Sequence, residues 1–150
     1  MAAVAVKYPA FRELGAEVLS ISVDSIDSHR AWQEKKLARM VKGGIRFPML
    51  SDPGGALGRL YGIYDENNRT DHRGHFLVDP EGIIQIQEIL PDPVGRNVTE
   101  ILRQLRALQH HRRDGSYMPC GWQPGRPTVD TESETGHSEA KGEWKTRHAF

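Results

Sequence analysis

An α/β sandwich built on a mixed sheet is the fold class this chain predicts. Short β-branched runs alternate with amphipathic helical runs over residues 4–78, two apolar runs flank a Pro/Gly turn at residues 79–82, and a long amphipathic run follows. Alternation of strand and helix implies crossover connections and parallel pairing, whereas a tight turn joins antiparallel strands, so a sheet holding both is mixed. The 150 residues amount to one domain's worth of chain.

The elements follow in order. Val4, Tyr8, Phe11 and Leu14 recur at helical spacing, and Gly15 stands where a left-handed cap belongs, which predicts a first helix ending there. The run EVLSISV, residues 17–23, alternates and is β-branched, predicting a strand stopped by Asp24 and Ser25. Ser25, Asp27 and Ser28 each suit the N-cap of the next helix, whose apolar positions include Trp32, Leu37 and Met40 and which Gly43 and Gly44 end. FPML, residues 47–50, predicts a short strand. Asp52 and Pro53 read as an N-cap with proline in the first turn of a short helix through Leu57, Leu60 and Tyr61. The polar stretch DENNRTDHR reads as loop. His75 to Val78 and Ile83 to Leu90 flank Asp79-Pro80-Glu81-Gly82, which predicts an antiparallel hairpin. Asn97 suits the cap of the last helix, whose Val98, Ile101, Leu102, Leu105 and Leu108 make an apolar stripe.

Composition narrows the function classes. Twenty basic and twenty acidic side chains cancel, which argues against capturing nucleic acid or an acidic lipid surface by bulk field and leaves room only for a local basic patch. No stretch approaches the roughly 18 consecutive apolar residues of a membrane span, and the N-terminal MAAVAVKYPA lacks the features of a secretory signal. With a single cysteine there is no internal disulfide framework, so a reducing, cytoplasmic setting is expected. From Asp130 to Phe150 aliphatic residues nearly vanish, which predicts a disordered polar tail over 130–150.

Five motifs in fixed order then identify a family. Residues 11–25, FRELGAEVLSISVDS, continue into SHRAW at 28–32; FPMLSD at 47–52, RGHFLVDPEG at 73–82, PVGRN at 93–97 and GWQPG at 121–125 follow. Together, over about residues 7–129, they resemble the peroxiredoxins, the alkyl hydroperoxide reductase and thiol-specific antioxidant group. The resemblance implies a thioredoxin-like fold over 1–110, a C-terminal arm over 111–129, and reduction of hydrogen peroxide and organic hydroperoxides with no metal or other cofactor. It further implies a thioredoxin-like reductant, antioxidant duty in cell redox homeostasis and a homo-oligomer, while charge and composition lead to the expectation of neither nucleic acid nor membrane as partner.

In that family a peroxidatic cysteine occupies a P-x-x-x-T/S-x-x-C motif at the start of the helix running into F-x-x-L-G. A thiol must be a thiolate to attack the O–O bond, and a helix N-terminus together with an arginine lowers its pKa. The sequence departs from the family here: no such motif precedes Phe11, and the peroxidatic cysteine is expected to be missing from this chain. Three readings stay open: a truncated peroxidase, inactive as it stands; a non-catalytic relative that assembles with full-length peroxiredoxin; and a peroxidase rebuilt around Cys120.

The resemblance singles out three residues. Arg73 matches the family's active-site arginine, the alternative being a solvated arginine at a strand edge. Arg96, in PVGRN, matches a supporting arginine, the alternative being a salt bridge at a helix start. Cys120 lies two positions beyond the family's resolving cysteine, where this chain has Met118, and is either a displaced resolving thiol or an unrelated one. His29 and Trp32 read as structural. His110 and His111 are adjacent and diverge by about 100° on a helix, which argues against a metal pair; with Arg112 and Arg113 they complement a helix C-terminus. Asn68 and Asn97 begin glycosylation sequons that matter only in a secreted chain.

The family's central strand leads into the peroxidatic helix, between residues 17–23 and the strand beginning near Arg73. Without it, the four strands seen here are expected to fall into two pairs, keeping the 73–90 hairpin and leaving a break at the sheet centre.

Overall fold

The structure, a computed structural model, describes residues 1–129; the tail expected over 130–150 lies outside the described residues. The chain divides into a unit of Met1–Val98 and a second unit from Thr99 onward.

The first unit opens with α1, Ala2–Glu13. Pro9 lies inside it and removes one backbone donor, a break that normally costs about 3 kcal/mol. The helix continues because its apolar side chains anchor it: Phe11 is buried, and Val4, Ala5 and Tyr8 pack on the cluster Leu37, Ile45 and Phe47. Tyr8 meets Phe47 edge-on with ring centroids 5.4 Å apart. At the other end Gly15 takes φ 66°, donates to the Arg12 carbonyl at 2.9 Å and terminates the helix, as its position predicts.

Strand β1, Ser20–Ser22, is shorter than the alternating run that contains it. Ser25 caps α2, Ile26–Trp32, accepting from the Ser28 amide at 3.2 Å. A widened π-helical turn, Gln33–Leu37, joins α2 to the three residues of α3, Ala38–Met40. Leu37, at 1% exposure, is the most deeply buried large side chain of the described residues. Gly43 and Gly44, both at positive φ, then turn the chain back.

β2 is Met49–Ser51, two residues later than expected. Pro48 offers no amide, so only its carbonyl serves the ladder, accepting from Ser20 at 3.0 Å. β1 and β2 pair in parallel, Ser20 with Met49 and Ser22 with Ser51. The helix expected to open at Asp52-Pro53 begins instead at Ala56: α4 is Ala56–Leu60, with Gly55 as N-cap at φ 70°. Asp52 caps it from three residues outside, its buried carboxylate accepting from the Ala56, Leu57 and Gly58 amides at 3.1, 2.8 and 3.1 Å. Left-handed turns at Gly54 and Gly55 fold the helix start back onto that carboxylate. Leu60, the last residue of this five-residue helix, is 78% exposed.

The polar stretch read as loop holds a small ladder, β3 (Tyr64–Asp65) against β4 (Thr70–Asp71), tightened by Asp65, whose carboxylate accepts from the amides of Asn67 and Asn68. β5, Arg73–Val78, and β6, Ile84–Leu90, form the expected hairpin, with Arg73 opposite Leu90 and a register shift between Leu77 and Val78. Asp79 closes the turn by accepting from Glu81 and Ile83 at 3.0 and 2.9 Å. The described residues therefore carry three two-stranded sheets, with residues 20–22 paired to 49–51 rather than to 73–78.

In the second unit α5, which starts at Val98 and ends at Asp114, buries Ile101 and Leu102. Trp122, 3% exposed, is held from both sides: its carbonyl accepts from Arg103 Nη1 and its Nε1 donates to the Arg126 carbonyl, each at 3.0 Å. A bridge between Tyr117 and Val129 closes the segment.

Candidate active site

Two arginines come together near the start of β5. Arg73 is the first residue of β5 and is exposed; Arg96 lies on the segment ahead of α5 and is partly buried. Arg96 Nη1 donates to the carbonyl of Gly74 at 2.7 Å, which fixes its guanidinium beside the residue following Arg73. Burial, and then the charge of Arg73, pulls the Arg96 guanidinium below its ordinary range. Arg96 thus feels Arg73 through space.

Among the described residues no ion pair neutralises Arg73 or Arg96. Chemically, the Arg73 and Arg96 guanidinium groups suit holding an anionic group while offering N–H donors to a neighbouring oxygen.

Arg73 and Arg96, singled out from sequence, are brought together. Cys120 belongs to the second unit: it is an exposed free thiol on the turn closed by the Trp122 amide and the Pro119 carbonyl, with Gly121 at φ 72°. Its near neighbour is Arg103, whose charge is held by Glu100 at 2.7 Å. His29 ties two motifs together, its Nε2 lying 2.7 Å from Ser22 Oγ, while Trp32 packs against the core cluster. His111 Nδ1 lies 2.9 Å from the Ser116 carbonyl and His110 Nε2 lies 3.3 Å from Asp114, so both serve the end of α5. Among the described residues no three His, Cys, Asp or Glu side chains converge as metal ligands, and no helix is long and apolar enough to cross a membrane.

Sequence reasoning missed one polar cluster. Asp71 on β4 presses against Gly58 of α4, near Asp52, and burial followed by the Asp52 charge raises its pKa. The only hint in sequence was the glycine at a helical position, which leaves room for a close approach.

The mixed α/β elements place the chain in the thioredoxin-like fold class. The family model of the AhpC/TSA family matches residues 1–87. The chain is 49% identical to the selenocysteine-containing peroxiredoxin PrxU of Peptoclostridium acidaminophilum over 152 aligned positions, covering all of this chain and 74% of that one. It is 40% identical to peroxiredoxin TSA1 of Saccharomyces cerevisiae over 128 positions, covering 83% of this chain and 65% of the yeast protein. Among solved structures, that of reduced Plasmodium vivax 2-Cys peroxiredoxin is similar with a TM-score of 0.80 and 33% identity, covering 86% of this chain and 66% of its own. Enterococcus faecalis AhpC is similar with a TM-score of 0.73 and 36% identity, over 79% and 69% of the two chains. The chain belongs to the AhpC/TSA family, the peroxiredoxins, and spans about two thirds to three quarters of these relatives' lengths.

Proposed function

We propose that this chain supplies the arginine-bearing part of a peroxiredoxin-type peroxidase that reduces hydrogen peroxide and organic hydroperoxides. The observation that carries the reading is the approach of Arg96 to Arg73, its Nη1 donating to the Gly74 carbonyl at 2.7 Å. A thiolate placed there attacks the distal peroxide oxygen; the O–O bond breaks, water or an alcohol leaves after protonation, and the sulfur becomes a sulfenic acid. Arg73 holds the thiolate and peroxide oxygens, and Arg96 fixes the strand that carries Arg73. Cys120 is the resolving thiol, condensing with the sulfenic acid to a disulfide with loss of water. A thioredoxin-like dithiol then reduces that disulfide, in a cytoplasmic homo-oligomer.

The reacting group itself is a thiol or a selenol. The 49% identical relative is named as a selenocysteine-containing protein, which favours the selenol and with it an in-frame TGA codon upstream in the encoding DNA. A selenol passes through the same cycle, with selenenic acid in place of sulfenic acid.

The test is peroxide consumption, with thioredoxin recycling, by the 150-residue chain and by a version extended upstream to the nearest in-frame start. Activity confined to the extended version, with loss on Arg73→Ala, supports the reading. Activity of the short chain that disappears with Cys120→Ser overturns it, since Cys120 would then be the peroxide-reacting thiol.

A further inference from the structure

A second positive surface lies away from the arginine pair. Lys35, Lys36, Arg39, Lys42 and Arg46 fall within twelve residues, with no acid among them. All five are exposed, and none forms an ion pair among the described residues. The chain's formal charges cancel only with these five counted, and Glu34 stands just ahead of them, so the positive field is local to this stretch.

The surface is anchored. Leu37 and Ile45 are both buried in the cluster that also contains Phe47, so the stretch between them is pinned at two points. Lys35 and Arg39 are four residues apart and Lys36 and Arg39 three, spacings that bring side chains together on a helical surface. The Arg46 guanidinium lies against Gly43, whose missing Cβ leaves the room. Among these cations Met40 stands 67% exposed, an unbranched apolar side chain presented to solvent.

We propose that this face of the π-turn, α3 and the Gly43-Gly44 loop binds an anionic lipid surface. Lysine and arginine heads engage acidic headgroups while Met40 enters the headgroup boundary. The composition favours lipid over nucleic acid. Trp32 is half-buried and Phe47 is buried, so the surface offers no aromatic platform for unstacked bases, and α3, at three residues, is too short to occupy a groove. Bulk neutrality does not oppose this, because screening at physiological salt confines the interaction to about 8 Å.

The experiment is co-sedimentation of the full chain with vesicles of mixed phosphatidylglycerol and phosphatidylcholine, and with phosphatidylcholine alone. Binding to the mixed vesicles, lost at high salt, is expected. Each basic residue contributes about five-fold in partition, so Lys35→Gln/Lys36→Gln/Arg39→Gln should weaken binding on the order of 100-fold. Met40→Ser should weaken it at constant salt dependence. Circular dichroism is expected to show that the variants keep their fold, these side chains being exposed. Equal binding by parent and triple variant, equal binding to neutral vesicles, or displacement from the vesicles by a DNA oligonucleotide at matched charge each overturns the proposal.

Discussion

Arg96 donates a hydrogen bond of 2.7 Å to the carbonyl oxygen of Gly74, the residue after Arg73, and so joins the segment ahead of α5 to the first residues of β5. A hydrogen bond from a charged donor is worth about 1.5–3 kcal/mol, more than an exposed ion pair contributes. Arg96→Met keeps much of the stem and removes the donor. Its urea midpoint should fall by the equivalent of about 1–2 kcal/mol; an unchanged midpoint would show that the bond stabilises nothing.

Asp52 satisfies three amides at the start of α4, whose N-cap position holds only a glycine. Asp52→Ala should cost about 1–2 kcal/mol, in line with the loss of a cap. Equilibrium denaturation gives the value, and a loss under a few tenths would mean that water replaces the carboxylate without penalty.

Asp71 gives the fold a pH dependence. Burial first, then Asp52, raises its pKa, opposed by His72. A carboxyl raised in the folded state contributes stability that is fully present below its unfolded value, about 3.9, and is lost as pH rises through the raised one. Denaturation midpoints recorded from acid to neutral pH should carry a component that falls with rising pH and vanishes in Asp71→Asn. The same slope in wild type and variant would assign it to another group.

Gly55 faces the Tyr64 ring, over which the Arg59 guanidinium lies 4.1 Å from the centroid. A Cβ at Gly55 would collide with that ring, and φ 70° adds left-handed strain. Gly55→Ala should therefore lose about 2–4 kcal/mol, strain and overpacking together. If thermal melting of this variant matched wild type, the ring would have to be free to move aside.

Cys120 is exposed on its turn. A thiol-specific reagent should modify it in the native chain at a rate close to that in denaturant, and Cys120→Ser should shift stability by no more than about 0.5 kcal/mol. Strong native-state protection would place the thiol in an environment other than the one described.

Local signals carried the hairpin and the Gly15 cap and narrowed the next cap to Ser25, Asp27 or Ser28, because a turn or cap is decided by residues a few positions apart. The positions of Arg73 and Arg96 were legible through motifs in fixed order, not through any property of an isolated arginine. Asp52 was recognised as a cap but assigned to its own next residue, since nothing local announces that two left-handed glycines will carry the helix start three residues away. The β3–β4 ladder was hidden in polar residues, where no alternation of burial marks a strand.

By itself, then, the sequence determined the order and type of the main elements and the family, and singled out Arg73 and Arg96, because periodicity, turn chemistry and motif spacing are written in neighbouring residues. Only the tertiary structure decided that Arg96 bonds to Gly74 beside Arg73 and that Asp71 presses on Gly58 near Asp52. Those relationships join residues distant in the chain, and through-space electrostatics and close packing exist only once the backbone has brought them together.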